Sequence, residues 1–292
     1  MRSSSRILTA VAALLLIGAA TALAHDMFLK LESYYLEPNA AATVSLLNGT
    51  FERSENAIAR ERLEDVSVVG PDGTVHPPTS AWHDVELYAD TVETADSVDT
   101  AILTFETGES GTYIIGVSTR PTVFTLSGED FNAYLEHDGV LDVLDDREEA
   151  GTLDDEATER YSKHVKALVQ VGDARSDDFS TALDYPIEFI PLQNPYELGV
   201  GDALDVRLLR DGEPVADQLV YAGYEGQHAH ADTGEHVHTT PVSTRTNAEG
   251  VARIPLSAAG KWYIRTIHMV ETTSEPDVDY ESNWATLTFE IR

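Results

Sequence analysis

The stretch Ala101-Ile-Leu-Thr-Phe105, Gly108-Glu-Ser-Gly111, Tyr113-Ile-Ile-Gly-Val117 decides the fold class. Two β-branched, partly alternating runs flank a cluster of turn formers, which is how strands joined by a tight connection read. The pattern recurs on both sides. Val44-Ser-Leu-Leu47, Val66-Ser-Val-Val69 and Val123-Phe-Thr-Leu126 read as strands, with Pro71-Asp-Gly73 as a turn. Further on come Leu204-Asp-Val-Arg-Leu-Leu209, Gln218-Leu-Val-Tyr221, Val251-Ala-Arg-Ile254, Trp262-Tyr-Ile-Arg-Thr-Ile267 and Ala285-Thr-Leu-Thr-Phe289. Asp211-Gly212 and Asn247-Ala-Glu-Gly250 read as hairpin-type turns between them.

These runs predict a mainly β protein with two β-sandwich domains, residues 25–190 and 191–292, meeting near Leu192-Gln-Asn-Pro195. A helical insert is expected at about 127–171. Ser127-Gly-Glu-Asp130 caps its first helix, with Phe131, Tyr134 and Leu135 at helical spacing. A second helix is expected from Asp154, carrying Tyr161, Val165 and Leu168 as its stripe, with Asp142 to Glu149 a solvated acidic run between the two.

Composition removes several function classes. The 292 residues carry 51 Asp+Glu against 19 Lys+Arg, a formal charge of −32, and no cysteine. A surface of that sign repels phosphate, which excludes nucleic-acid binding, and it resembles the acidic surfaces of proteins from salty habitats. Without cysteine there are no disulfides, iron–sulfur clusters or thiolate zinc sites, so soft-metal chemistry falls to histidine.

The N-terminus reads as a secretory signal peptide, residues 1–24: Arg2 and Arg6, an apolar run from Ile7 to Ala20, and Ala22 and Ala24 at the −3 and −1 positions. The expectation is a periplasmic or secreted protein with no membrane span after processing. Cleavage after Ala24 makes His25 the first residue. Its α-amine and imidazole Nδ1 then form a chelating pair suited to copper or nickel, leaving the other ring nitrogen for a hydrogen-bonded partner.

Four of the ten histidines fall in Gln227-His-Ala-His-Ala-Asp-Thr-Gly-Glu-His-Val-His238. His-x-His puts two imidazoles on one side of an extended segment. His228, His230, His236 and His238 are therefore candidate ligands for nickel, cobalt, copper or zinc, as one wrapped site or as a loop that acquires metal. His268, at the end of a strand, faces either the core or a site. His83 beside Trp82 reads as structural, and His76, His137 and His164 read as surface residues. There is no Gly-x-Ser-x-Gly, phosphate-cradling glycine loop or His-Glu-x-x-His, so a hydrolase is not indicated.

Ala24-His25-Asp-Met-Phe-Leu, Phe131-Asn-Ala-Tyr-Leu135, Arg160-Tyr-Ser-Lys-His-Val-Lys-Ala-Leu168, Asn194-Pro-Tyr-Glu-Leu198, Gly260-Lys-Trp-Tyr-Ile-Arg265 and Trp284-Ala-Thr-Leu-Thr-Phe289 follow one another in order. The chain thereby resembles a family of exported bacterial proteins of unknown function grouped with periplasmic nickel- and cobalt-uptake proteins. The C-terminal part resembles transthyretin-like β-sandwich modules. The resemblance implies a periplasmic metal-handling role without catalysis, with His25 and His268 matching the family's N-terminal and late-strand histidines. Some related uptake proteins carry a C-terminal membrane helix. This chain ends at Arg292 straight after a strand, so coupling to a membrane importer is expected to pass through a partner.

The leading expectation is thus a transition-metal-binding protein that delivers or sequesters nickel, cobalt or copper, with His25 and His268 as its ordered site and the histidine-rich segment as an acquisition loop. The alternative is a cell-envelope β-sandwich module binding carbohydrate or protein without metal, through aromatic platforms near Tyr34-Tyr35 or Trp82. Wide separation of His25 and His268 favours it. A copper redox enzyme built on the His25 chelate is a third reading.

Overall fold

In the computed structural model, which describes residues 25–87, 98–227 and 242–292, the β-branched runs form strands throughout. In chain order these are β1 (Asp26–Lys30), β2 (Tyr35–Leu36), β3 (Ala41–Gly49), β4 (Leu63–Gly70), β5 (Gly73–Val75), β6 (Trp82–Leu87), β7 (Val98–Glu106), β8 (Gly111–Thr119) and β9 (Thr122–Leu126). Then follow β10 (Ala157–Val171), β11 (Ile187–Pro191), β12 (Ala203–Arg210), β13 (Glu213–Pro214), β14 (Leu219–Tyr224), β15 (Val242–Arg245), β16 (Val251–Pro255), β17 (Gly260–Glu271) and β18 (Tyr280–Ile291). The protein is mainly β, as its alternating and β-branched runs predict.

The strands form three sheets. A four-stranded sheet runs β1-β3-β7-β6. A ten-stranded sheet runs β15-β14-β17-β18-β10-β8-β4-β5, with β2 and β9 also paired to β10. A third is built on β12, flanked by β11, β13 and β16. The Gly108–Gly111 turn therefore carries the chain from β7 in one sheet to β8 in another. Asp211-Gly212 closes a true hairpin, Arg210 facing Glu213, with both turn residues at positive φ (50° and 81°). Asn247-Ala-Glu-Gly250, by contrast, passes from β15 in the long sheet to β16 in the third. The long sheet draws strands from both sides of residue 190, and one hydrophobic core runs from Met27 to Ile291.

The helical insert is shorter than 127–171. Helix α1 spans Gly128–Asp138, capped by Ser127 Oγ accepting from the Asp130 amide, and α2 spans Leu141–Ala150. Gly139 ends α1 at φ 76°, and a Cβ there would strike the Tyr221 ring at 2.4–2.8 Å, so glycine is required twice over. The second helix lies in the acidic run Asp142 to Glu149, which offers only Val143 and Leu144 as apolar anchors within it. The segment expected as helix, with Tyr161, Val165 and Leu168, is instead the fifteen-residue strand β10, buried almost end to end. Its apolar spacing imitates a helix because a strand covered on both faces loses its two-residue period. His164 moves with it, from the expected surface position to 2% exposure in the core.

Alternation along β10 separates two faces. Glu159, Tyr161 and Lys163 share a side with Ser282 and Trp284 of β18 and with Phe131 and Tyr134 of α1. Strand β1 crosses that same side, where Thr286 and Thr288 donate to the Met27 and Leu29 carbonyls at 2.9 and 2.7 Å. Arg160, Ser162, His164 and Lys166 face the third sheet: Lys166 Nζ reaches Glu188 Oε2 at 2.6 Å and Phe189 O at 3.1 Å.

Two buried groups on opposite faces of β10 give stability an unusual pH profile. Burial lowers the His164 pKa from 6.5 to about 4, although Asn283 hydrogen-bonds it. Only the unfolded chain is protonated there between those values, so this contribution to stability is lost as pH falls from about 6.5 to 4. Burial raises Glu159 from 4.5 to about 7. Its contribution has the other sign, complete below about 4.5 and lost as pH rises to about 7. Each amounts to about 3 kcal/mol at about 1.4 kcal/mol per pH unit, so the two oppose one another across their shared window. Urea unfolding across that window should show Glu159→Gln gaining about 3 kcal/mol on the wild type as pH rises. In His164→Asn the falling Glu159 slope should stand alone. Parallel profiles for all three proteins would refute this assignment.

Candidate functional site at the N-terminal histidine

His25 enters β1, opposite the end of β3, where Asp26 pairs with Gly49 and Met27 with Asn48. Beyond Gly49 the chain folds back on itself: Ser54 Oγ accepts from the Asn48 amide, and the Glu55 and Asn56 amides both donate to Asn48 O at 2.9 and 3.1 Å. A Cβ at Gly49 would lie 2.6 Å from Arg53 O, so the loop closes only over glycine. This turn brings Glu55 and Asn56 against the histidine. His25 Nε2 sits 2.5 Å from Glu55 Oε2, and Asn56 Nδ2 lies 3.1 Å from His25 Nδ1. Together the contacts specify the tautomer. The proton resides on Nε2, which donates to the carboxylate, and the Nδ1 lone pair is the acceptor for Asn56.

Cations hold His25 and Asp26 from below. Lys163 Nζ donates to the His25 carbonyl and stands 4.6 Å from the Trp284 ring centroid. Burial brings its pKa down to about 8, against the pull of Asp26 and Asp138. Arg265 Nε pairs with Asp26 Oδ2 at 3.2 Å, and its Nη1 donates to the Asp138 carbonyl at 3.0 Å. Burial works against the Arg265 charge, but Asp26 and Asp138 outweigh it and its pKa rises. The hydrogen bond that the His137 ring donates to Asp138 raises the His137 pKa, and the side chain is exposed, as expected.

His268 lies on the other side of the long sheet. Its register partner is Asn283, which also faces Ser162 across β10, whereas Trp284, next along β18, pairs with Ile267 and Lys163. Successive residues of a strand point to opposite faces, so His25, held by Lys163, and His268 are separated by the sheet. His268 Nδ1 accepts from Arg210 Nη1 at 3.1 Å, and Arg210 in turn grips Glu281, which also holds Arg160. Burial and the Arg210 charge both lower its pKa. A guanidinium on the ring nitrogen opposes a metal cation at the same atom. His25 and His268 therefore do not share one site.

The model of a domain of unknown function, DUF4198, matches residues 22–270. The chain belongs to the DUF4198 family. The DUF4198 match takes in His25, the Glu55 loop, Lys163 and His268, and it ends within β17. No curated protein matches the chain. Among solved structures, the D0-D1 domain of intimin shares 11% identity over 91% of this chain and 97% of that one, with a TM-score of 0.20. The adhesin InvE of Yersinia pseudotuberculosis shares 12% over 91% and 59%, with a TM-score of 0.19. Elastase-activated α2-macroglobulin of Escherichia coli shares 12% over 91% and 22%, also at 0.19.

Of the remaining candidates in this DUF4198 chain, His228, His230, His236 and His238 lie outside the described residues, as do residues 1–24, the expected signal peptide. Their segment leaves β14 beside Glu225, which pairs with Lys30 of β1 at 2.6 Å, and re-enters at β15. Among the described residues no three His, Asp or Glu side chains cluster as metal ligands, and no helix is long and apolar enough to cross a membrane. Of the proposed aromatic platforms, Tyr34 is fully buried, while Trp82 borders a groove. Glu55, Asn56 and Lys163 escaped the sequence reading. Scarcity was the available signal for Lys163, one of only four lysines in the chain.

Proposed function

We propose that the protein binds a transition-metal ion outside the cytoplasm through His25, after removal of the leader, and delivers or sequesters it for an uptake system. One observation carries this reading. Glu55 accepts the hydrogen bond from Nε2, so the Nδ1 lone pair lies on the same residue as the nitrogen that processing converts to an α-amine. A carboxylate behind a ligating imidazole is the usual outer partner of a metal-bound histidine, fixing tautomer and ring orientation. For Nδ1 to accept a metal, Asn56 must withdraw its amide nitrogen, and rotation of the same amide offers its oxygen instead. The donor set, amine and imidazole with amide oxygen, fits nickel, copper or cobalt better than calcium or magnesium. The ion is cargo in this reading, and no catalysis is assigned. Resemblance to nickel- and cobalt-uptake proteins supports the choice of metal class, with the histidine-rich segment as its acquisition loop.

Isothermal titration of the processed protein, with and without residues 228–238, tests the reading. Binding of nickel, copper or cobalt tighter than about 10 μM, about 7 kcal/mol, is expected in both forms. No such binding by either form overturns it.

The separation of His25 from His268 also favours the second reading, an envelope module whose β surfaces bind carbohydrate or protein without metal. Under that reading, ligand capture persists in the presence of a chelator.

A further inference from the structure

A groove of about 320 Å³ opens between β4 and the edge strand β6, away from His25, and none of the histidines proposed above as metal ligands lines it. Its volume is at the low end of the roughly 300–1,000 Å³ of small-molecule sites. Pro77 and the small exposed part of Trp82, 8% of its surface, supply the apolar lining. Arg60 lies over Trp82, its guanidinium carbon 5.3 Å from the ring centroid, with Nη2 on Asp84 at 2.5 Å. Its Nη1 is buried and has no hydrogen-bond partner among the described residues. A buried guanidinium N–H without an acceptor is costly, and the Arg60 side chain as a whole, 22% exposed, lines the groove.

Acceptors line the same groove. Asp65 is held rigidly, its Oδ2 receiving the Tyr185 and Ser67 hydroxyls at 2.7 Å each and its Oδ1 standing 3.3 Å from His76 Nδ1. Because His76 Nδ1 turns inward to Asp65 and to the Val66 carbonyl, its Nε2 is the outward nitrogen. Glu64 adds an exposed carboxylate to the lining. This mixture selects a ligand class. A simple anion that satisfies Arg60 meets Glu64 and Asp65, and a simple cation that satisfies the carboxylates meets Arg60. A hydroxyl donates to a carboxylate while accepting from a guanidinium.

We propose that this groove binds a neutral polyhydroxylated ligand of mono- to disaccharide size. The proposal rests on nothing in the metal reading, and it gives the second reading a location and a ligand class.

The test is an amide chemical-shift titration of the processed chain in EDTA with glucose, N-acetylglucosamine and maltose, with acetate and ammonium as simple-ion probes. Saturable shifts confined to residues 60–66 and 76–82 are expected for at least one saccharide, with a Kd of about 1 mM or tighter. Arg60→Gln should weaken that binding at least about ten-fold, about 1.4 kcal/mol. Glu64→Gln, a surface change that leaves the fold intact, should weaken it as well. The proposal is overturned if no saccharide saturates these residues, if only acetate or ammonium does, or if both variants bind like the wild type. Saccharide shifts at other surfaces would overturn the groove and leave the second reading standing.

Discussion

Replacing His25 with alanine is expected to weaken nickel or copper binding by the processed protein at least about 100-fold. The substitution removes the only imidazole that the described residues place at this site and leaves the α-amine without a chelating partner. Glu55→Gln is the finer probe. It keeps the side chain's shape and still accepts the hydrogen bond from Nε2, but it removes the carboxylate charge behind the ring. Losing such an outer partner costs about 10- to 100-fold in metal affinity. Competition titrations with a coloured chelator measure both variants. An affinity for His25→Ala within about three-fold of wild type would place the metal elsewhere, with the histidine-rich segment the next site to test.

The largest stability effect is expected at Lys166 and Glu188, which join β10 to β11 with both side chains nearly inaccessible, at 2% and 3% exposure. Their 2.6 Å contact is supplemented by Phe189 O on the lysine and the Leu183 amide on the carboxylate. Burial lowers the Lys166 pKa and Glu188 counters it. Glu188→Leu leaves an ammonium buried with one carbonyl, which should cost about 3–5 kcal/mol in urea unfolding. The double variant Lys166→Met with Glu188→Leu should recover most of that loss, because desolvating two charges offsets much of what their attraction supplies. A single-variant loss under about 1 kcal/mol would show that water reaches the pair.

Strand content was legible wherever β-branched runs alternate between turn formers, as in Val66-Ser-Val-Val69 and Val251-Ala-Arg-Ile254. Reading failed at β10, where coverage by a sheet on one face and by helices with β1 on the other removes the two-residue alternation. The error carried His164 and Lys163 with it. With β10 taken as a helix, neither the buried imidazole nor the lysine beneath His25 could be placed. Helix α2 was hidden for the opposite reason, since an acidic run with two apolar residues carries almost no periodic signal. At the candidate site, His25 stood out through its position after an Ala-x-Ala sequence. Glu55 and Asn56 did not, because a loop folding back over Gly49 brings them to the histidine and no linear spacing encodes that approach. His268 could be put on a strand but not on a face relative to His25, since the crossing of β1 over β18 is a tertiary fact.

In the proposed function the metal is held by the α-amine of His25 together with its own Nδ1. Copper(II) paramagnetic resonance on two forms of the chain addresses it directly: one beginning at His25, the other carrying a long Gly/Ser extension before it. The extension preserves the imidazole, Glu55 and Asn56 and removes only the amine. Nitrogen hyperfine structure from an amine and an imidazole is expected in the first form, and in the second its loss together with at least about 100-fold weaker binding, about 2.7 kcal/mol. Identical spectra and affinities in the two forms would contradict it.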